Sequence, residues 1–317
     1  MDHPSTDSLL YARQRIFDRD LQPGGEELLY REWTFPNRAP DQFDPERATS
    51  RVLVNAFLRD PAPTFGASCP AFVNFTALTL ARDLPFPPDR LVVEVLESVH
   101  VDSTVIEQVQ RLKAQGFRIG LDDYTRPDAD HPLIEQADII KLECPAFTPA
   151  GLRHVIACLR RRRPDIQILV EKIETATELR HALDAGCDLL QGYRLHKPEP
   201  VVAACEGDVT QADIDAVRTA IRDDAHRRLR RLLRHRPSLA AHFARLAWHR
   251  DDSQPAYRPR CRRTLEMLGT TVLSQLLDFL EAAQPARCVT RMHGVRQAKS
   301  RSSVSVAIST RTIDAGC

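Results

Sequence analysis

The chain contains no apolar run approaching the roughly 20 residues that cross a bilayer. Its opening, MDHPSTDSLLYARQ, lacks the basic start and apolar core of a secretory leader. The expectation is a soluble, cytoplasmic protein without a membrane span. Charge of one sign is missing too: 44 Lys and Arg face 43 Asp and Glu, a formal net charge of +1. No global field draws such a chain to nucleic acid or a lipid surface, so any case for either rests on a local patch. The eight cysteines, at 69, 144, 158, 187, 205, 261, 288 and 317, form no C-x-x-C pair and no Cys/His group at zinc spacing. They read as reduced thiols rather than as a disulfide framework or a zinc site.

What is present is a regular alternation of periods. The 317 residues suit two domains, or one α/β barrel of about 250 residues with an appendage. Leu9 to Phe17 and Glu27 to Arg31 read as strands of a hairpin turned by Gln22-Pro23-Gly24-Gly25, and Pro45 opens a helix toward Leu58. Apolar runs at 71–75, 91–96, 117–121, 139–142, 166–170 and 188–190 then alternate with helical spacing at 78–84, 101–115, 152–163 and 177–185. Strand-helix repetition of this length predicts a parallel (βα) barrel, whose active site lies where the C-terminal strand ends converge.

Each apolar run leads into a polar residue that such a run should not tolerate. The series is Asn74, Glu94, the pair Asp122-Asp123, Lys141, Glu171 and Gln191, with Glu27 in the opening hairpin. Adjacent carboxylates repel, and burying them costs several kcal/mol each unless cations sit between them. Oxygen donors of this kind suit magnesium or manganese rather than zinc, and together they outline a two-metal site for phosphoester hydrolysis. Taken singly, any of them is more often a solvated or salt-bridged strand-end residue; Glu97 and Glu174 read as solvated first-turn acids favoured by a helix dipole.

The residues resemble those of the EAL domain. Glu27-Leu28-Leu29-Tyr30-Arg31 matches E-x-L-x-R, and Val73-Asn74-Phe75-Thr76 is similar to the family's asparagine strand. Glu94 to Ser98 resembles E-I-T-E-S, Asp122-Asp123-Tyr124 the start of D-D-F-G-T-G, and Lys141-Leu142-Glu143 K-I-D. Glu171 to Thr175 answers to E-G-V-E-T, and Gln191-Gly192-Tyr193 through Lys197-Pro198 to Q-G-Y and K-P. The resemblance implies a TIM-like (βα) barrel of EAL type that hydrolyses cyclic di-GMP to pGpG. It implies Glu27, Asn74, Glu94 and Asp122 as ligands of a first metal, with Asp123 and Glu171 at a second. Lys141, Glu171 and Gln191 would act in catalysis, and Gln14, Leu29 and Arg31 would lie along the nucleotide, where the planar fork of Arg31 suits a phosphate.

One departure stands out. Where the family continues its aspartate pair with glycines, this chain has Thr125 to Asp130, and Arg126-Pro127 cannot copy a glycine backbone. That puts the second metal, and a homodimer contact made by this loop in the family, at risk. A second reading therefore keeps the fold and drops the catalysis, leaving a cyclic di-GMP-binding or protein-interaction adaptor.

After Pro200 the strands are expected to stop, with helices over 213–234, 239–248 and 262–282. Pro237 to Ala247 and Leu265 to Gly269 resemble the opening of an HDOD domain, as in the YuxH-like EAL-HDOD subgroup. The organisation expected is residues 1–205 as EAL domain, 206–286 as a partial HDOD-like all-α subdomain through which a signalling partner could dock, and 287–317 as a basic disordered tail. The arginine-rich stretch His226 to Arg234 reads as a solvated helix face, and a nucleic-acid role for it is the weaker alternative.

Overall fold

The computed structural model describes residues 7–32, 43–60, 63–125, 131–204, 209–251 and 261–284. Arg126 to Asp130 and the tail from Arg287 lie outside the described residues.

Strands β1 (Asp7–Asp18) and β2 (Pro23–Leu29) pair antiparallel as the opening hairpin. The turn, at residues 19–22, falls three residues earlier than the sequence suggests. Asp18 Oδ1 accepts from the backbone N–H of Asp20 at 2.9 Å and of Gln22 at 2.8 Å, and Leu21 takes a left-handed φ of 59°. Pro23 is thereby freed to open β2, a position a strand tolerates.

From β2 onward the strands run parallel: β3 (Ala71–Phe75), β4 (Leu91–Val95), β5 (Arg118–Leu121), β6 (Ile139–Glu143), β7 (Gln167–Glu171) and β8 (Leu189–Leu190). β1 pairs antiparallel with both β2 and β8, closing an eight-stranded barrel. One more strand, β9 (Glu199–Ala204), lies on the other side of β1, so the strands do not stop at Pro200. Pro200 faces Ala12 within it. An edge strand accommodates a residue with no N–H to give.

The helices follow the expected alternation. They are α1 (Pro45–Val54), continued by a π-helical turn at Asn55–Arg59, α2 (Ala77–Leu80), α3 (Ser103–Ala114), α4 (Pro149–Arg162) and α5 (Ala176–Ala185). α3 starts where Asp102 accepts from Val105 N–H and buries Val105, Val109 and Leu112 at helical spacing. α2 is a single turn rather than the longer helix suggested over 78–84. The Arg111 guanidinium takes the Leu80 and Arg82 carbonyls at 2.9 and 3.0 Å, oxygens that a continuing helix would use itself. Among the described residues no helix follows β5.

A small apolar cluster, separate from the main core, comprises Ile16, Phe72, Val92, Ile139, Leu169 and Leu189. Side chains on a strand alternate between faces, so these residues form one layer filling the barrel interior. Gly25 occupies the same layer on β2; a Cβ there would sit 2.5 Å from Phe72 Cε2. Absence of that atom lets the phenyl ring fill the centre.

Four more helices complete the described part: α6 (Gln211–Arg222), α7 (His226–Arg234), α8 (Pro237–His249) and α9 (Cys261–Ala282), the last kinked at Gly269. The continuous helix read over 213–234 breaks into α6 and α7 where Asp224 adopts φ 49°. α6 to α9 share the main core with the barrel's outer face. Arg245 of α8 donates to the Leu58 and Arg59 carbonyls at 2.7 and 3.1 Å, and Phe279 of α9 packs edge-on against Phe86 at 5.2 Å. On α7, Leu229 and Leu233 are buried while Arg227, Arg228, Arg231 and Arg234 are exposed.

Candidate active site

Moving two residues along each strand from the apolar layer, toward the C-terminal ends of the parallel strands, gives the next layer on the same face. Phe72 leads to Asn74, Val92 to Glu94, Ile139 to Lys141, Leu169 to Glu171 and Leu189 to Gln191; Gly25 leads to Glu27. On the reversed strand β1 the count runs backward from Ile16 to Gln14, whose Cα partner is Glu27. The strand-end residues singled out in the sequence, Asp123 excepted, therefore share one floor of the barrel mouth.

Lys141 is its centre and is 1% exposed. Its Nζ lies 2.7 Å from Asp122 Oδ1, 3.1 Å from Glu94 Oε1, 3.1 Å from Glu171 Oε2 and 3.4 Å from Glu27 Oε1. Burial alone would discharge the amine, but Asp122, Glu27, Glu94 and Glu171 outweigh it and hold the ammonium well above the usual lysine range. Gln191 Nε2 donates to Glu27 Oε2 at 2.7 Å and fixes that carboxylate from the other side. Burial pushes the Glu94 carboxyl up to about 8; Lys141 works against the rise, and Glu27 and Asp122 add to it. Glu171 is likewise raised well above the carboxylate range, first by burial and then by Asp122 and Glu27 against the pull of Lys141.

This arrangement is short of positive charge and of donors. One ammonium faces four carboxylates, while Glu94 Oε2, Glu171 Oε1, Asn74 Oδ1 and Gln191 Oε1 are buried without a hydrogen-bond partner. Each such acceptor costs about 1–3 kcal/mol. An all-oxygen set with unspent negative charge fits a hard divalent cation.

Asp123 stands apart from this ring. One oxygen each from Asp123, Glu143 and Glu171 lies within 4.8 Å of the others, and Glu97, Asp122 and Asp123 form a second such trio. The sequence does not single out Glu143, and it presents Glu97 as a solvated acid. Lys172 was missed as well: its ammonium contacts Glu143 Oε1 and lies 3.5 Å from Asp123 Oδ1. The available signal was its place in the motif, where E-G-V-E-T carries glycine.

Leu29, Arg31 and Asn74 line a neighbouring cavity of about 340 Å³ together with Tyr30, Phe43 and Glu97. Arg31 is 9% exposed and donates to the Tyr30 carbonyl at 2.7 Å, and burial lowers its guanidinium from the usual arginine value. Gln14 Nε2 donates to the His196 carbonyl at 3.0 Å.

A closed barrel with buried carboxylates, a lysine and a glutamine gathered at the C-terminal strand ends defines the class: an α/β barrel with an acidic mouth. Residues 64–198 match the family model of the EAL domain. The chain is 32% identical over 194 residues to the protein YuxH of Bacillus subtilis, covering 59% of this chain and 46% of that protein. It is 33% identical over 193 residues to the cyclic di-GMP phosphodiesterase CdgJ of Vibrio cholerae, covering 59% and 44%. The chain thus spans less than half the length of these curated relatives. Among solved structures, the EAL domain of DcpA from Mycobacterium smegmatis aligns over 61% of this chain and 92% of that one, at 21% identity and a TM-score of 0.48.

Proposed function

We propose that the barrel opens cyclic di-GMP to linear pGpG, with magnesium or manganese held by Glu27, Asn74, Glu94 and Asp122 and a second position at Asp123 and Glu171. The observation that carries this reading is the single floor of oxygen donors around Lys141 and Gln191. The match of residues 64–198 to the EAL family supports it.

A divalent ion there supplies Lewis-acid polarisation of the phosphoryl oxygens and a water that ionises near neutral pH. The chain's own groups do the rest. In the net reaction a water oxygen bonds to phosphorus, the P–O3′ bond breaks and O3′ takes a proton, leaving a 5′-phosphate. Lys141, kept charged by its four neighbours, offsets charge building on the phosphoryl oxygens. Glu171, in its carboxylate form, accepts the water's proton, and Gln191 orients the water through its free Oε1. Arg31, Leu29 and Gln14 lie along the nucleotide.

Purified protein with magnesium or manganese is expected to convert cyclic di-GMP to pGpG by chromatography, and Glu27→Ala to abolish it; no turnover with either ion would sink the reading. A second reading, a binder that signals through a partial HDOD-like unit at 206–286, draws on one observation. α9 and α8 pack on α1 and its π-helical extension, and Thr49 of α1 donates to the Asn74 carbonyl at 2.8 Å, linking the helices to the barrel mouth. Nucleotide binding without turnover, lost in Arg31→Ala, is its signature.

A further inference from the structure

Lys172 follows Glu171 directly at the end of β7 and adopts a left-handed φ of 58°. A side chain there costs about 1–2 kcal/mol relative to glycine, the residue the motif carries at this place. The ammonium that this backbone presents contacts Glu143 Oε1 and lies 3.5 Å from Asp123 Oδ1, within the trio of Asp123, Glu143 and Glu171. Asp123 itself is left-handed at φ 43°, so β5 and β7 each turn sharply to bring these groups together. Lys172 remains half exposed, unlike Lys141, and can swing away without unpacking the barrel.

We infer that Lys172 is a built-in competitor for the second cation: its ammonium stands in for a divalent ion between Asp123 and Glu143, so the mouth holds one ion tightly and a second only when Lys172 withdraws. This rests on the divalent-ion reading of the site and adds a residue that sets its stoichiometry. A monovalent charge a few ångströms from a divalent ion, in the partly solvated mouth, weakens binding by about tenfold or more.

The test counts Mn²⁺ equivalents bound by the full-length protein, using calorimetry and the loss of the free-ion paramagnetic resonance signal. The parent is expected to bind one tight equivalent and a second at least about tenfold weaker. Lys172→Gln removes the charge and keeps a side chain in the left-handed pose, while Lys172→Gly also relieves the backbone; both are expected to gain a second tight equivalent. Lys172→Arg is expected to behave as the parent. Two tight equivalents in the parent overturn the role of Lys172 and leave the metal site standing. Parent-like binding by the folded Gln and Gly variants does the same, and no Mn²⁺ binding by any of the four proteins overturns both.

Discussion

His242 offers the sharpest check on how the helical part is held to the barrel. It lies on α8, is 4% exposed, and neither ring nitrogen has a hydrogen-bond partner. Burial, reinforced by Arg59 and Arg245, lowers its imidazole from 6.5 to about 3. An unfolded chain takes up the proton below 6.5 while the native chain refuses it until about 3, so stability falls as pH drops through that window. At about pH 4.5 the loss from this one group is on the order of 3 kcal/mol. His242→Leu removes it. The variant is expected to be more stable by about 1–3 kcal/mol near neutral pH, because an unpartnered polar ring leaves the core. Its advantage should widen by roughly 3 kcal/mol at about pH 4.5. Urea unfolding followed by circular dichroism at the two pH values gives both numbers. An advantage that does not widen in acid would refute the burial argument.

Three other outcomes follow from the geometry. Gly192→Ala would place a Cβ 2.1 Å from the Ile173 carbonyl oxygen and 2.3 Å from its nitrogen, both backbone atoms beside Gln191. It should cost more than about 3 kcal/mol in thermal or urea unfolding. With Glu94 pushed up to about 8, its carboxyl is mostly protonated at neutral pH. Binding of Mn²⁺ there is expected to release about one proton, read by calorimetry in buffers of different ionisation enthalpy, with the release vanishing above about pH 9. Arg245→Ala removes donors from the Leu58 and Arg59 carbonyls and should lower stability by about 2 kcal/mol, measured by urea midpoint.

Much of the site was legible because a barrel strand has a strict two-residue period. Val92 inside means Glu94 inside, and the same holds for Ile139 with Lys141 and Leu169 with Glu171. An acid or lysine at such a position has no structural reason to be there unless it meets partners. What escaped was set by backbone and tertiary context. Lys172 shows no periodic signal; its meaning comes from a left-handed φ that points it at Asp123 and Glu143. β9 hides behind Pro198 and Pro200, residues that argue against a strand until an edge position with a solvent-facing nitrogen is available. The break between α6 and α7 falls at Asp223-Asp224, inside a pattern whose apolar spacing runs on without interruption. His242 sits among helical apolar positions, and its burial depends on a barrel segment nearly two hundred residues earlier in the chain.

The reversed first strand has a consequence for biosynthesis. Phe17 and Asp18 pair with Leu190 and Leu189, so the seam that closes the cylinder joins the two ends of the barrel sequence. At about 5–20 residues per second, the hairpin of β1 and β2 waits roughly 8–32 s on the ribosome before β8 emerges to meet it. During that interval β1 offers bare backbone donors and acceptors along its free side, and Ile16, later sealed inside, faces water. A nascent chain in that state is a template for strand pairing with its neighbours. Folding yield in the cell should therefore depend more on how that waiting hairpin is shielded than on the stability of the finished barrel.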